Sequence, residues 1–317
     1  MSEQAEKREL HASFRPSRDY LIALAPLLAM AVYLYGWRVL LMAAASLLTA
    51  LGCDLLTALF TGRKYDSSEI SSYMFALIYT VMLPATASYH IVALGTAVAV
   101  LLGKQAFGGY GGYPFHPSAF GFAFTAVCFQ DEVFKYPRPF SSINLGLSTG
   151  DTVLYDGIST TLRLGGVPEV DLTDLLIGSY AGPMGATFCL IIIACFVLLV
   201  MRRTISWQES FFFLLTCGVI AALLPRAQLG WLDSLAYEMC SGAVIFAAVF
   251  LVSTPSIVPK APAAKAVYGI VMGLAVTLFR RIGYFEMGVC FAALLVNPLA
   301  PWLDRITQPK KTAKGGA

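Results

Sequence analysis

The chain has 317 residues, of which 57% are hydrophobic and only 13% are charged. A soluble domain carries about 25% charged residues, so this composition excludes an ordinary water-soluble protein and predicts a chain surrounded largely by lipid. The formal net charge of +3 is small and no basic, aromatic-rich surface stretch occurs, so we expect no nucleic-acid partner.

The hydropathy pattern predicts an all-α polytopic membrane protein with a single integral membrane domain over residues 1–317. A polar segment, 1–19, precedes ten apolar stretches that we interpret as transmembrane helices. The longest polar connection is 131–172, and a polar tail covers 303–317. The ten stretches are 20–37, 40–60, 70–89, 90–103, 117–130, 173–200, 206–225, 233–252, 265–279 and 285–302.

Ten spans divide into five plus five, and an odd number of spans per half reverses the direction of the second half. This predicts an inverted repeat, as in many transporters. Both halves contain a stretch interrupted by Gly or Pro, at 107–118 and at 253–262. We therefore expect broken helices or re-entrant segments at these two places.

The basic residues predict the orientation. Most of the 22 lysines and arginines flank the connections on the same side as the N-terminus. Because cytoplasmic loops carry the excess of Lys and Arg, we expect both termini in the cytoplasm and the 131–172 loop outside.

The sequence AFGGYGGYPFHP, residues 106–117, is the most irregular apolar stretch. Gly108, Gly109 and Gly111 permit positive φ and let the backbone approach a flat or anionic ligand, and Lys104 could bind a phosphate. Irregular backbone at membrane depth must be covered, so we expect Phe107–Pro117 to be buried. The alternative is a re-entrant loop that only closes the bundle.

Few charges lie within or near the apolar stretches. Asp54 and Glu238 are the deepest and are functional candidates, because a charge within the membrane is costly. Arg280, Arg281 and Glu286 lie near span ends, where snorkelling explains them. Three scattered histidines and seven cysteines without a CxxC motif predict no metal site.

Several of these motifs together resemble one family. The sequence GKQAFGGYGGYPFHPSAFG at 103–121, GPMGAT at 182–187, RRTISW at 202–207 and the last two apolar stretches are similar to the membrane D subunit of Rnf complexes. The B subunit of the sodium-translocating NADH:quinone reductase belongs to the same family. The resemblance covers most of the chain.

The resemblance implies a ten-helix subunit of a redox complex in the bacterial inner membrane. Such a complex moves electrons between reduced ferredoxin and NAD and couples this to Na⁺ or H⁺ translocation. The other Rnf subunits and the lipid membrane would be the partners. We expect no catalytic residues for NAD or ferredoxin in this chain, because those sites would lie on other subunits.

The resemblance also implies FMN, joined through its phosphate to a threonine in the outer loop. The matching sequence here is DGISTTLRL, residues 156–164. An alignment with a one-residue gap makes Thr161 the acceptor, whereas an ungapped alignment puts Leu162 there. Lys104, Gly108, Gly109 and Gly111 are the other residues expected to contribute to a flavin environment.

Two other functions stay open at this point. A solute channel of the urea or ammonium type would also have five-plus-five helices and broken segments. A diverged subunit that assembles with partners but carries no flavin is the third possibility. Ala186 and Thr254 favour it, because the family has glutamate and aspartate at these positions.

Overall fold

The computed structural model describes residues 3–62, 70–146, 152–226, 230–283 and 285–307, with side chains from residue 14 onward. The described chain is predominantly helical, which confirms the predicted class. The first half contains the helices α1 (Glu3–Tyr35), α2 (Arg38–Thr61), α3 (Ser71–Val81), α4 (Tyr89–Ala97) and α5 (Pro117–Cys128). A π-helical turn, Val98–Leu102, and a 3₁₀ turn, Gln105–Phe107, extend α4.

The connection between the halves is more structured than the sequence predicted. It contains a two-stranded antiparallel sheet in which Tyr136 pairs with Tyr155, so the fold is not purely helical. Its elements are α6 (Gln130–Val133), β1 (Lys135–Pro137), β2 (Leu154–Asp156), α7 (Ile158–Arg163) and α8 (Leu172–Ile177).

The second half repeats the helical pattern with more breaks. Its helices are α9 (Cys189–Met201), α10 (Trp207–Leu223), α11 (Trp231–Cys240), α12 (Val244–Phe250), α13 (Pro262–Ile282), α14 (Gly288–Val296) and α15 (Ala300–Thr307), with a 3₁₀ turn, Asn297–Leu299, joining the last two.

Each of the ten predicted stretches contains a helix, but the helices differ in length. Within the described residues, five are long and apolar enough to cross a membrane: Phe14–Tyr35, Arg38–Thr61, Tyr89–Phe107, Pro262–Ile282 and Gly288–Thr307. Helices α11 and α12 are bent by 46° relative to each other, and counting this pair as one span gives six candidate spans. Helices α3, α5, α9 and α10 are apolar but shorter.

The shortness of α3 and α9 corrects two predicted boundaries. The stretch predicted at 70–89 is helical only to Val81, since Pro84 cannot continue a hydrogen-bonded helix. The stretch predicted at 173–200 becomes regular only at Cys189. The first part of this stretch contains the end of α8. Gly178 terminates that helix with a φ of +86°, in the left-handed region.

The two irregular segments that result pair with each other. Met184 donates its backbone N–H to Leu83 O at 3.0 Å, and Gly185 donates to Val81 O at 2.9 Å. A Cβ on Gly185 would lie 2.7 Å from Val81 Cβ, so only glycine permits this approach. These hydrogen bonds pair backbone N–H and C=O groups that lipid cannot hydrogen-bond. Irregular backbone is tolerated here for that reason.

Side-chain contacts between helix termini show which termini lie together at each of the two opposite ends of the bundle. At one end, Asp19 of α1 pairs with Arg202, just beyond α9, at 3.1 Å. Asp304 of α15 accepts a hydrogen bond from Lys260 N at 2.9 Å, just before α13 begins. We call this the Lys104 end, because Lys104 follows α4 there. The described ends of α1 and α15 therefore lie on the same side.

The connection between the halves covers the other end. Arg38, at the start of α2, donates to Asn144 O at 2.7 Å and to Gly146 O at 2.8 Å. Tyr89, at the start of α4, donates to Leu145 O at 3.0 Å. We call this the Thr161 end, because α7 lies there against the end of α13.

Candidate functional site

The structure places the predicted site residues in two groups that lie far apart. The helical run Tyr89–Phe107 has 19 residues and connects the two ends of the bundle. At 1.5 Å per residue it is about 28 Å long. Lys104 lies in the last turn of this run and the glycine loop follows it, whereas Thr161 lies at the opposite end of the bundle. The structure therefore does not bring Lys104, Gly108, Gly109 and Gly111 together with Thr161.

The glycine loop has the backbone geometry that its sequence predicted. Gly108, Gly109 and Gly111 have φ values of +93°, +99° and +82°, and a Cβ on any of them would meet nothing within 4 Å. The expectation that the whole segment is buried is wrong for its first part. Phe107 is 42% exposed, and Gly108 and Gly111 are exposed as well.

Only the side chains that point back into the bundle are covered. Tyr113 is 4% exposed, and its hydroxyl lies 2.7 Å from Ser256 Oγ. His116 is fully buried, with its ring 5.2 Å from that of Phe75. Gly108, Gly111 and Gly112 therefore lie on the surface of this chain, whereas Gly109 and Tyr113 are buried.

Lys104 points into the bundle. It is fully buried, and its Nζ donates to Ser72 Oγ at 2.7 Å. Ser72 in turn donates to Asp54 Oδ1 at 2.9 Å, and Gln105 Nε2 donates to the same oxygen at 2.6 Å. The predicted intramembrane charge of Asp54 is thus compensated by a buried polar cluster. The Lys104 ammonium group therefore lies against the start of α3.

At the Thr161 end, three consecutive hydroxyl residues of α7 have different surroundings. Ser159 is 3% exposed and accepts hydrogen bonds from Arg280 Nε and Nη2, both at 3.2 Å. Thr160 Oγ1 donates to Glu286 Oε2 at 2.8 Å. Thr161 is half-buried, and within the described part of the chain its hydroxyl donates to Gly157 O, one turn back in its own helix, at 3.2 Å.

The two candidate acceptor positions, Thr161 and Leu162, differ in burial and contacts. Leu162, the ungapped position, is 2% exposed and packs in a cluster with Tyr180 and Cys189. The Thr161 hydroxyl is the one of the three that contacts neither Arg280 nor Glu286. A Cβ on Gly166 would lie 3.1 Å from Thr161 Cγ2, so the glycine leaves the threonine side chain uncrowded.

Arg280 is the centre of a buried ionic network behind α7. Its Nη1 lies 3.0 Å from Glu238 Oε2, and its Nη2 donates to Ser241 Oγ at 2.9 Å. Arg226 Nε pairs with the other Glu238 oxygen at 2.7 Å. Glu238, predicted as a functional candidate, is therefore held between two guanidinium groups.

The expectation that Arg280 and Glu286 snorkel to the surface is wrong, since each is 4% exposed. Glu286 lies in the connection between α13 and α14, outside the spanning helices. Burial raises the pKa of its carboxyl group, and hydrogen bonds from Thr160 and Ser159 offset part of that effect. Sequence reasoning missed both residues as part of a site, because their partners in α7 are more than 100 positions away.

Comparison with known proteins decides the family. The sequence model of the NQR2, RnfD, RnfE family matches residues 8–313. The chain belongs to this family. Its resemblance to the membrane D subunit of Rnf complexes, predicted from the motifs, is thereby confirmed.

Relatives of the NQR2, RnfD, RnfE family from three bacteria match nearly end to end, and each is named as the D subunit of an ion-translocating oxidoreductase complex. The protein of Actinobacillus succinogenes is 28% identical, over 93% of this chain and 92% of its own length. That of Haemophilus influenzae strain 86-028NP is 26% identical, over 92% and 91%. That of Actinobacillus pleuropneumoniae is 27% identical, over 93% of each.

Proposed function

We propose that this member of the NQR2, RnfD, RnfE family is the D-like membrane subunit of an ion-translocating oxidoreductase complex of the ferredoxin–NAD type. The family match over residues 8–313, in a chain that folds as an apolar helical bundle, is the observation that carries the proposal. The other Rnf subunits are its partners, because the relatives are named as subunits of such a complex.

FMN attached to the Thr161 hydroxyl is the proposed redox group. A flavin supplies electron acceptance and donation, and the protein supplies placement and electrostatics. The residues around Thr161 fit this group, since a half-buried hydroxyl lies beside the small residue Gly166. Arg280 and Glu286 hold the neighbouring Ser159 and Thr160 against the end of α13. The surface glycine loop, at the other end of the bundle, is better suited to contact a partner subunit than the same flavin.

The proposal includes ten spans arranged as an inverted repeat. Helix α1 packs against α9 and α5 packs against α14, as expected when two halves are related by a two-fold axis. The two polar clusters support the same relation. Lys104 with Ser72 and Asp54 lies at one end, and Arg280 with Ser241 and Glu238 lies at the other.

The proposed location is the bacterial inner membrane with both termini in the cytoplasm. The described ends of α1 and α15 lie at the Lys104 end, which also carries Arg202, Lys260 and Lys265. An excess of basic residues on the cytoplasmic side supports this orientation. The Thr161 loop is then on the outer face.

A solute channel of the urea or ammonium type has less support. His90 lies at the start of α4, with its ring 5.9 Å from that of Phe129, just beyond the end of α5. His116 precedes the start of the same helix α5. The two imidazoles are therefore separated by the length of a 12-residue helix, about 18 Å, and do not form a pair in a pore.

Deletion and replacement of the gene in the native host tests the function. Inverted membrane vesicles lacking this chain should lose ferredoxin-dependent NAD reduction and the ion uptake coupled to it, and the wild-type gene should restore both. Unchanged activity in the deletion strain contradicts the proposal. Full restoration by Thr161→Ala would favour the diverged subunit that assembles without a flavin.

A further inference from the structure

The carboxylate of Glu286 closes over the start of α7. Its Oε1 accepts a hydrogen bond from Ser159 N at 2.9 Å. Its Oε2 accepts from Thr160 N at 2.6 Å and from Thr160 Oγ1 at 2.8 Å. One buried side chain from the connection between α13 and α14 therefore binds two successive amides and a hydroxyl of the outer loop.

Gly157 makes this contact possible. A Cβ at this position would lie 2.5 Å from both Glu286 Cδ and Oε1, closer than real Cβ atoms approach. The backbone φ of Gly157 is an ordinary −72°, so a larger residue here would act by displacing the Glu286 carboxylate and not by straining the backbone. The Glu286 carboxylate therefore occupies the space that a side chain at position 157 would fill.

The segment α7 depends on such external support. It has six residues, and isolated helices of this length are not stable in water. The first amides of any helix have no partner within the helix, and here Glu286 satisfies two of them. Arg280 adds two hydrogen bonds to Ser159 Oγ from the last turn of α13.

We propose that Glu286 is a positioning residue for flavin attachment: it holds Gly157–Thr160 so that the Thr161 hydroxyl is presented to the enzyme that transfers FMN. Thr161 directly follows the two residues that Glu286 binds, and its own hydroxyl is left out of the Glu286 and Arg280 contacts. This inference rests on the proposed attachment at Thr161.

The chemistry of attachment balances without a role for Glu286 as an acid or base. A phosphoester bond forms between Thr161 Oγ and the phosphorus of FMN. The pyrophosphate bond of a flavin dinucleotide donor breaks, and the departing nucleoside monophosphate receives the electron pair and the hydroxyl proton. Among the described residues the hydrogen bonds of Glu286 are to Ser159 and Thr160, and not to the Thr161 hydroxyl that reacts.

The test compares Glu286→Ala, Glu286→Gln and a matched control, Glu209→Ala. Glu209 is also a buried glutamate, 1% exposed, and its carboxylate accepts a hydrogen bond from Ser206 Oγ at 2.8 Å. It lies at the Lys104 end, away from α7. Each protein is produced with the FMN-transferring enzyme and isolated as the folded, detergent-solubilised species.

Two measurements are made on each protein. Flavin fluorescence per mole is read under ultraviolet light after denaturing electrophoresis, and amide hydrogen exchange is followed in the peptide that covers residues 157–163. A misplaced acceptor slows a group-transfer step steeply, so we expect roughly tenfold less fluorescence in Glu286→Ala than in wild type. Exchange in 157–163 should rise in the same variant and stay unchanged in Glu209→Ala.

Glu286→Gln keeps the volume and one acceptor oxygen but turns an amide group towards one of the two N–H donors. We expect intermediate fluorescence and exchange, and this variant decides the question if Glu286→Ala does not fold. Fluorescence equal to wild type in folded Glu286 variants overturns the positioning role alone. A wild-type protein without fluorescence overturns the attachment at Thr161 and the role of Glu286 with it.

Discussion

Arg280 donates two hydrogen bonds to Ser159 Oγ, each 3.2 Å long, although 121 positions separate the two residues in the chain. The same guanidinium is bound to Glu238, at 3.0 Å. The connection that carries the proposed flavin acceptor is therefore attached directly to the end of a membrane-spanning helix and to the ionic network behind it.

Replacing Thr161 should abolish covalent flavin. Thr161→Ala removes the acceptor hydroxyl, so fluorescence on a denaturing gel should disappear, whereas Thr161→Ser keeps a hydroxyl and should retain it. A double variant, Thr161→Ala with Leu162→Thr, tests the ungapped alignment. Because position 162 is buried, we expect no fluorescence from the double variant. Fluorescence that survives in Thr161→Ala would assign the flavin to another residue.

Breaking the ionic network should destabilise the protein. Glu238→Gln leaves Arg226 and Arg280 buried, at 8% and 4% exposure, without their shared counter-charge. Removing one partner of a buried ion pair costs about 3–5 kcal/mol. We expect a clearly lower thermal unfolding temperature in detergent. The control is Asp233→Asn, an exposed carboxylate of the same helix α11, and equal unfolding temperatures for the two variants would contradict the prediction.

A substitution in the glycine loop should destabilise the protein through backbone strain and not through steric clashes of the new side chain. Gly109 has a φ of +99° with open space around its Cβ position. Gly109→Ala should therefore destabilise the fold by about 1–2 kcal/mol, the cost of a left-handed conformation for an L-residue. Gly52→Ala is the control, since it also has open space but lies in the regular helix α2. Thermal unfolding that is the same for both alanine variants would show that strain at Gly109 is unimportant.

The orientation can be tested with single cysteines. The exposed native Cys128 is first replaced by serine. A membrane-impermeant thiol reagent added to intact spheroplasts should label Ser142→Cys, an exposed residue at the Thr161 end. Thr61→Cys, exposed at the end of α2 on the opposite side, should react only after the membrane is opened. The reverse pattern of labelling would contradict cytoplasmic termini.

Much of the glycine loop was predictable because its cause is local. A left-handed conformation at Gly108, Gly109 and Gly111 follows from residue type, and the structure has positive φ at all three positions. The role of Lys104 was not predictable. Its Nζ contacts Ser72, 32 positions earlier, and only the packing of α3 against the end of α4 brings the two together.

The sequence by itself determined the membrane environment, the helical class and the family. These properties depend on composition, hydropathy and short motifs, which can be read from the sequence without knowing which distant residues are in contact. Only the tertiary structure decided that Leu162 is buried whereas Thr161 is half-buried, and that Glu286 and Arg280 bind the two residues before Thr161. Such contacts join positions more than 100 residues apart, so they depend on how the last two spans pack beside the connection between the halves, which no local pattern specifies.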